Sequence, residues 1–298
     1  MRLTEKIIRT VRDTFDTLLF FATMAWKEDF RNHVGRAGAQ NMHPEGRMMI
    51  LGNGPSLSEQ MPKLIADKAW EQGDFMAVNF FSLSEEFEVL KPKYYVISDP
   101  QFFRKAGHSE RVDAMYKALA ERVTWPMTLY VQYYNPENFD YAAAVGHNPN
   151  IRIVRFHTTL FRGFRSVEFW CYRHGLGSGN FGTVVQNGEF IAMLLGYRTI
   201  ELYGVDHTLL EGLMVDDENR LCRTQSHYYD TAPANPKPIF VNATNPPRPY
   251  TMASYLAETA ELFRGHEVLA EYALSQGVRI INCTRGSMID AYDRRQPK

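Results

Sequence analysis

Asn53 stands between two glycines in Gly52-Asn53-Gly54-Pro55-Ser56-Leu57, behind the apolar run Met48–Leu51 and ahead of the helix-forming Ser58-Glu59-Gln60. This pattern reads as a strand passing through a tight turn into a helix. Glycines at 52 and 54 permit the turn and a close backbone approach to a ligand. The amides at the helix start, around Ser56, offer donors and a favourable dipole to an anionic group. The Asn53 amide donates and accepts at once, as recognition of a base or a sugar requires. A lone Gly-Asn-Gly is equally an ordinary strand-to-helix turn, so its meaning depends on what else reaches the same place.

Several residues are expected to do so. The apolar run Phe75–Val78 ends at Asn79, and Tyr94–Ile97 runs into Ser98-Asp99-Pro100. Asn at a strand end is often only a turn former, but three polar strand ends on one rim predict a shared binding site. Ser178-Gly179-Asn180-Phe181-Gly182-Thr183 is a second glycine-rich approach to a helix and a second candidate phosphate cradle, with Gly182 and Thr183 nearest the helix. It lacks the lysine of a phosphate-binding NTPase loop, and the chain lacks the dinucleotide glycine pattern after its first strand. Thr199–Tyr203 ends in Gly204-Val205-Asp206-His207, whose Asp-His pair suits metal binding, acid–base work or loop orientation. A single histidine is more often a satisfied structural group. His227-Tyr228-Tyr229 joins a side chain that titrates near neutrality to two phenols, the groups needed to deprotonate an acceptor hydroxyl and to hold a departing phosphate. His266 has apolar neighbours and reads as structural, and the remaining histidines form no constellation.

The elements that must position these groups alternate along the chain. Strand-like runs fall at Met48–Leu51, Phe75–Val78, Tyr94–Ile97, Met127–Val131, Ile151–Val154, Ile200–Tyr203 and Val278–Ile281. Helical patterns fall at Leu57–Glu71, Leu83–Leu90, Arg111–Arg122, Val184–Leu195 and Ala253–Gln276. The alternation predicts an α/β fold, a Rossmann-like, doubly wound, mostly parallel sheet with ligands at the carboxyl ends of its strands. Residues 1–46 are expected to form an amphipathic helix and a linker, and 47–298 the catalytic domain. An irregular, lid-like insertion is expected over about 208–252, polar and proline-rich from Asp216 to Tyr250. In the first segment Ile7, Ile8, Val11, Phe15, Leu18, Leu19, Ala22 and Trp26 recur at helical spacing, with Phe20 and Phe21 widening the face and basic residues around it. Three destinations suit such a helix: the domain itself, another copy in a homo-oligomer, or a membrane interface.

Composition narrows the classes. The chain has 298 residues, 45% of them hydrophobic and 22% charged, with a net charge of -1. It is long enough for a large core, and no global field draws it to nucleic acid. No apolar run reaches the length of a bilayer span, and no cleavage site follows the first helix. Cys171, Cys222 and Cys283 are far apart, without paired metal spacing, and fit a reducing compartment. A cytoplasmic protein is expected, placed at the inner face of the membrane if the first helix binds lipid. No metal is expected.

The order of motifs resembles the bacterial lipooligosaccharide sialyltransferases. It runs from Gly52–Leu57 through Asn79, Asp99-Pro100 before Phe102-Phe103, the glycine-rich helix start, Leu195-Gly196-Tyr197, Gly204-Val205-Asp206 and His227-Tyr228 to Ile281-Asn282-Cys283 with Ser287. It spans about Met48 to Tyr292 as scattered motifs. The resemblance implies a Rossmann-like fold and metal-free, inverting transfer of a sugar from a CMP donor, with Asn53 and Asn79 on the nucleotide and its phosphate. The chain departs from that pattern where Asp99 replaces Asn, where Gly182-Thr183 replaces a Ser-Gly pair, and where no histidine follows the His-Tyr pair. Val78-Asn79-Phe80, Leu90 to Tyr95, Asp99-Pro100, Gly204 to His207 and Asn282-Cys283-Thr284-Arg285-Gly286-Ser287 also look like the 6-hydroxymethylpterin diphosphokinase-like family. That family includes a pterin kinase and proteins of bacterial surface-glycan and flagellin-glycosylation systems. Its kinase branch implies Mg²⁺ held by carboxylates, for which Asp99 and Asp206 are the candidates. Arg285 and Ser287 are then expected near the nucleotide. The leading expectation is a glycosyltransferase that takes a nucleotide-sugar donor, a CMP-linked acidic sugar, and a surface-glycan acceptor, without cofactor. Pyrophosphate transfer from ATP with Mg²⁺ is the alternative, and a non-catalytic nucleotide- or glycan-binding protein the third.

Overall fold

The structure, a computed structural model, describes residues 3–38, 46–104, 107–224, 228, 235–241 and 248–295. Helices α1 (Leu3–Lys27) and α2 (His33–Gly38) lead to β1 (Arg47–Leu51), followed by α3 (Leu57–Ala66), β2 (Asp74–Val78), α4 (Phe87–Leu90), β3 (Tyr94–Val96), α5 (Glu110–Arg122) and β4 (Met127–Gln132). Then come α6 (Tyr141–Ala144), β5 (Ile151–Phe156), α7 (Arg165–Arg173), α8 (Val184–Leu194) and β6 (Thr199–Tyr203). The insertion carries β7 (Leu213–Val215), β8 (Leu221–Arg223), β9 (Lys237–Pro238), β10 (Phe240–Val241) and β11 (Arg248–Pro249). Helix α9 (Met252–Ser275) and strands β12 (Arg279–Asn282) and β13 (Asp293–Arg294) close the chain.

Eight strands form one sheet in the order β13-β12-β6-β1-β2-β3-β4-β5, every pair parallel. Alternate residues of each strand feed opposite faces, as strand geometry requires. Met49 and Leu51 join Met61, Phe81, Tyr95 and Leu119 under α3, α4 and α5, whereas Met48 and Ile50 join Val96, Ile191, Leu202 and Ala273 under α8 and α9. Both faces are covered, so the doubly wound expectation holds. The chain winds outward from β1 to β5, then returns to the other side of β1 with β6. That reversal places the switch point between β1 and β6, where open α/β sheets bind ligands beyond the strand ends.

All seven anticipated strands are present. The expected helix over 57–71 breaks after Ala66, because Lys68 turns left-handed with φ 45°, and resumes as a single 3₁₀ turn at Ala69–Glu71. Helix α7 and the edge strand β13 were not among the expected elements. The insertion is not wholly irregular. Strands β7, β8 and β9 form an antiparallel sheet and β10 pairs with β11.

Helix α1 docks on the domain, but by its narrower face. Phe20 and Met24 are buried against Phe161, Tyr172, Phe190 and Leu269. Gly163 and Gly177 make that approach feasible, since a Cβ on Gly163 would overlap Thr17 and one on Gly177 would lie 2.6 Å from the Phe20 ring. The wide apolar stripe of Ile7, Ile8, Val11, Phe15, Leu18, Leu19 and Trp26 is left in solvent, Ile8 at 68% and Trp26 at 80% exposure. Among the described residues no helix is long and apolar enough to cross a membrane.

Candidate active site

The carboxyl ends of β1 and β6 are stitched together by backbone. The Gly52 amide donates to the Tyr203 carbonyl and the Gly54 amide to the Gly204 carbonyl, each at 2.8 Å. A Cβ on Gly52 would overlap the Gly204 carbonyl oxygen, and one on Gly54 would overlap the Asp206 carboxylate. These glycines therefore admit the β6 loop of the same chain. Gln60 of α3 completes the seam, accepting from the Gly204 amide at 2.8 Å and donating to the Cys283 carbonyl at 2.6 Å.

Asp206 occupies the start of α3. Its carboxylate accepts from the Ser56 hydroxyl at 2.8 Å and from the Ser56 amide at 3.3 Å. The next amides, those of Leu57, Ser58 and Glu59, bond to the carbonyls of Gly54, Pro55 and Ser56. The anion expected at this helix N-terminus is thus supplied by the protein. Burial pushes the Asp206 carboxyl up, opposed by its bonds from Ser56.

Beyond the seam lies a cavity of about 570 Å³. Gly52, Asn53, Gly54, Asn79, Thr183, Asp206 and His207 all line it, so the structure brings together most of the residues singled out in the sequence. A second cavity of about 480 Å³ shares Asn79, Thr183 and Val184 with it and is lined also by Asp99, Gln132 and Gly182. The two meet at the N-terminus of α8, where Thr183 caps the helix by accepting from the Val185 amide. The second glycine-rich segment thus opens α8 where the two cavities meet.

Two features distinguish the first cavity. Asn53 donates to the Val78 carbonyl at 3.0 Å, bridging β1 to β2, while its Oδ1 is buried without a partner among the described residues. Asn79 likewise leaves its Oδ1 buried and unpartnered. Such acceptors cost about 1–3 kcal/mol each until a donor arrives. Asn79 and His207 also adopt left-handed backbone, φ 49° and 50°, which Asn and His enter more readily than most residues.

Sequence reasoning missed Arg223. It is the arginine lining the first cavity, on β8 of the insertion. Its Nη1 donates to the Tyr255 hydroxyl at 2.5 Å, and that hydroxyl donates to the Leu209 carbonyl at 2.8 Å. A tyrosine of α9 thus fixes a guanidinium over the cavity, a link across 32 residues that no local motif records.

His207 packs edge-on against His266 at 5.1 Å between ring centroids, with its Nε2 shielded and unpartnered among the described residues. Burial and the neighbouring His266 push its pKa down to about 3, so it is neutral at pH 7. Behind it, His266 Nδ1 lies 3.0 Å from the Tyr292 hydroxyl, which donates to the buried Glu189 at 2.5 Å. His266 is therefore structural, as expected, but within a polar chain that backs the cavity.

The other anticipated residues fare differently. Asp99 caps the turn Pro100–Phe102 through the Gln101 amide at 3.1 Å, and it lines the second cavity whereas Asp206 lines the first. Ser287 is buried and accepts from Asn282 at 2.9 Å, shaping the loop after β12, and Arg285 is exposed; neither lines either cavity. His227 and Tyr229 lie outside the described residues. Tyr228 bonds its amide to the Asn53 carbonyl at 2.9 Å, tying the insertion to the rim. Its side chain packs on the α3–α5 side of the core, and its hydroxyl is engaged by Glu86. In this conformation that phenol is not presented to a departing phosphate.

No family model matches the chain, and no curated protein does. Among solved structures, the MAf glycosyltransferase from Magnetospirillum magneticum AMB-1 is similar over 89% of this chain at 17% identity, with a TM-score of 0.44. This chain spans 38% of that protein's length. A likeness at that level carries nothing about activity.

Proposed function

We propose that the chain is a glycosyltransferase that binds a nucleotide-activated sugar at the switch point and transfers the sugar to a surface-glycan acceptor. The observation that carries the reading is the pair of unpartnered amide oxygens, Asn53 Oδ1 and Asn79 Oδ1, buried at the rim of a cavity that Arg223 and the α8 N-terminus also reach. Neutral acceptors beside a cation and a helix start suit a ligand with hydroxyl or amine donors at one end and phosphate at the other. A nucleotide sugar has both. The order of motifs supports a CMP-linked acidic sugar as donor.

In this reading Arg223 and the α8 amides stabilise the departing nucleotide phosphate, and a histidine takes the proton of the acceptor hydroxyl. His227, next in sequence to the rim-bound Tyr228, is the proposed base, with inversion at the sugar carbon. His207 is the rival. An imidazole held neutral accepts a proton readily only when an adjacent negative charge stabilises the imidazolium, which a phosphate in the cavity would supply. Pyrophosphate transfer from ATP would instead need carboxylates converging on a phosphate-bound cation. Asp206 is tied to Ser56 and Asp99 lines the other cavity, which favours sugar transfer.

The test is calorimetric binding of CMP, UDP, GDP and ATP, with and without Mg²⁺, to the wild type, Asn53→Ala and Arg223→Ala. Asn53→Ala should weaken the preferred nucleotide by about 1–3 kcal/mol, about 5- to 150-fold. Arg223→Ala should weaken the nucleotide but not the nucleoside. Unchanged affinity in both folded variants would remove the ligand from this cavity, and Mg²⁺-dependent preference for ATP would hand the site to the kinase reading.

A further inference from the structure

A second cluster of titratable side chains lies away from the cavity, where the end of α1 meets the end of β5. Asp29 follows α1, His33 opens α2, and His157 follows β5. His33 Nε2 lies 2.9 Å and 3.1 Å from the two Asp29 oxygens, and His157 Nε2 lies 3.5 Å from Asp29 Oδ1. One donor atom from each of the three residues falls within 4.8 Å of the other two. A tetrahedral site with bonds of about 2.0–2.1 Å has ligand-to-ligand edges of about 3.3–3.4 Å, which these separations bracket. The Arg31 carbonyl oxygen, 2.9 Å from His157 Nε2, is the nearest fourth donor.

The surroundings are those of a prepared ligand set. His157 Nδ1 sits 3.1 Å from Glu28, whose side chain is fully buried and is held by the Thr158 amide at 2.9 Å and the Thr159 amide at 3.4 Å. A carboxylate on the far nitrogen fixes the ring of a metal-ligating histidine and raises its basicity. Asp29 is oriented in turn by the Tyr133 hydroxyl at 3.2 Å and the Arg31 amide at 2.9 Å. Structural ion-pair networks also gather such groups, but here one donor atom of each of three residues lies within 4.8 Å of the other two.

We propose that Asp29, His33 and His157 bind one divalent transition-metal cation of the zinc type, with Glu28 positioning His157. The cation would clamp the N-terminal helices to the end of β5. The sequence expectation of no metal rested on cysteine spacing and on the resemblance to metal-free transferases, and this set uses no cysteine and lies away from the cavity.

The full-length protein, stripped with a chelator and dialysed, should take up one Zn²⁺ per chain and melt at a higher temperature on adding Zn²⁺ but not Mg²⁺. Co²⁺ should give the visible absorption of a low-coordinate centre. His33→Ala and Asp29→Asn alter partly exposed side chains and should fold, yet lose the Co²⁺ absorption and the Zn²⁺ shift. Glu28→Gln should bind about 10- to 100-fold more weakly. Absence of uptake by the wild type, uptake unchanged in both His33→Ala and Asp29→Asn, or an equal response to Mg²⁺ would each overturn the proposal.

Discussion

Gly54→Ala tests whether the glycines of the first turn serve the ligand or the fold. An added Cβ would lie 2.7 Å from Asp206 Cγ and 2.7 Å from the Gly204 carbonyl oxygen, and would overlap the carboxylate oxygen that Ser56 holds. Contacts that close lie well inside the roughly 3.5–4.0 Å of ordinary packing. Relief requires Asp206 to swing away and the β6 loop to shift. Losing a hydrogen bond to a charged group costs about 1.5–3 kcal/mol, and forcing a methyl into a packed seam about 1–3 kcal/mol. Because the buried carboxylate regains water when it leaves, the lower half of the combined range is expected, about 3 kcal/mol. Urea unfolding of the wild type, Gly54→Ala, Asp206→Ala and the double variant measures it. In the Asp206→Ala background the cost of Gly54→Ala should fall to that of the Gly204 clash alone, so the cycle should show coupling of about 1–2 kcal/mol. A Gly54→Ala cost below about 0.5 kcal/mol, the level of an ordinary surface change, would refute the seam and return Gly54 to the ligand.

Three further outcomes are expected. His207 is held neutral, so below the ordinary histidine pKa the unfolded chain takes up a proton that the folded chain refuses. Stability should be complete above about pH 6.5 and fall towards the folded value of about 3. Denaturant midpoints from pH 6 to 4 should therefore drop less steeply in His207→Asn, by up to about 1.4 kcal/mol per pH unit, and identical slopes would show that His207 is protonated in the native state. Phe20→Ala should cost about 3–5 kcal/mol of stability, whereas Val11→Glu with Leu18→Glu should leave the midpoint within about 0.5 kcal/mol and abolish any self-association or liposome binding; an unfolded double variant would place the stripe in the core. His227→Ala should lower kcat by about 10²–10⁴-fold with nucleotide affinity unchanged, and equal turnover, with collapse in His207→Asn, would move the base to His207.

How much of this was legible in the sequence depends on the range over which each feature is determined. The strands were legible because a parallel sheet covered on both faces needs short continuous apolar runs, and Met48–Leu51, Phe75–Val78 and Ile200–Tyr203 are such runs. The gathering of Asn53 and Asn79 followed from the switch-point rule, since strand ends on one rim share a crevice whatever their separation in the chain, whereas Asp99, the third strand end expected there, lines the second cavity. Arg223 was invisible because its placement depends on Tyr255 of α9, and the Asp29–His33–His157 cluster because its third member lies more than 120 residues from the other two.

Helix α1 and the first turn show a subtler limit. Periodicity established that α1 has an apolar stripe, but not that the protein would hold it by the opposite face. That choice belongs to Gly163 and Gly177, which accept Thr17 and Phe20 and leave the wider stripe in water. In the first turn the residue types likewise implied a close approach and an anion at a helix start. Both exist, and both are internal: the approach is made by the β6 loop and the anion is Asp206. Glycine reports that something comes near, and a helix N-terminus that it favours negative charge. Neither says whether the partner belongs to the chain. The oxygens of Asn53 and Asn79 bear more directly on that question, because they are buried without a partner among the described residues and await a donor.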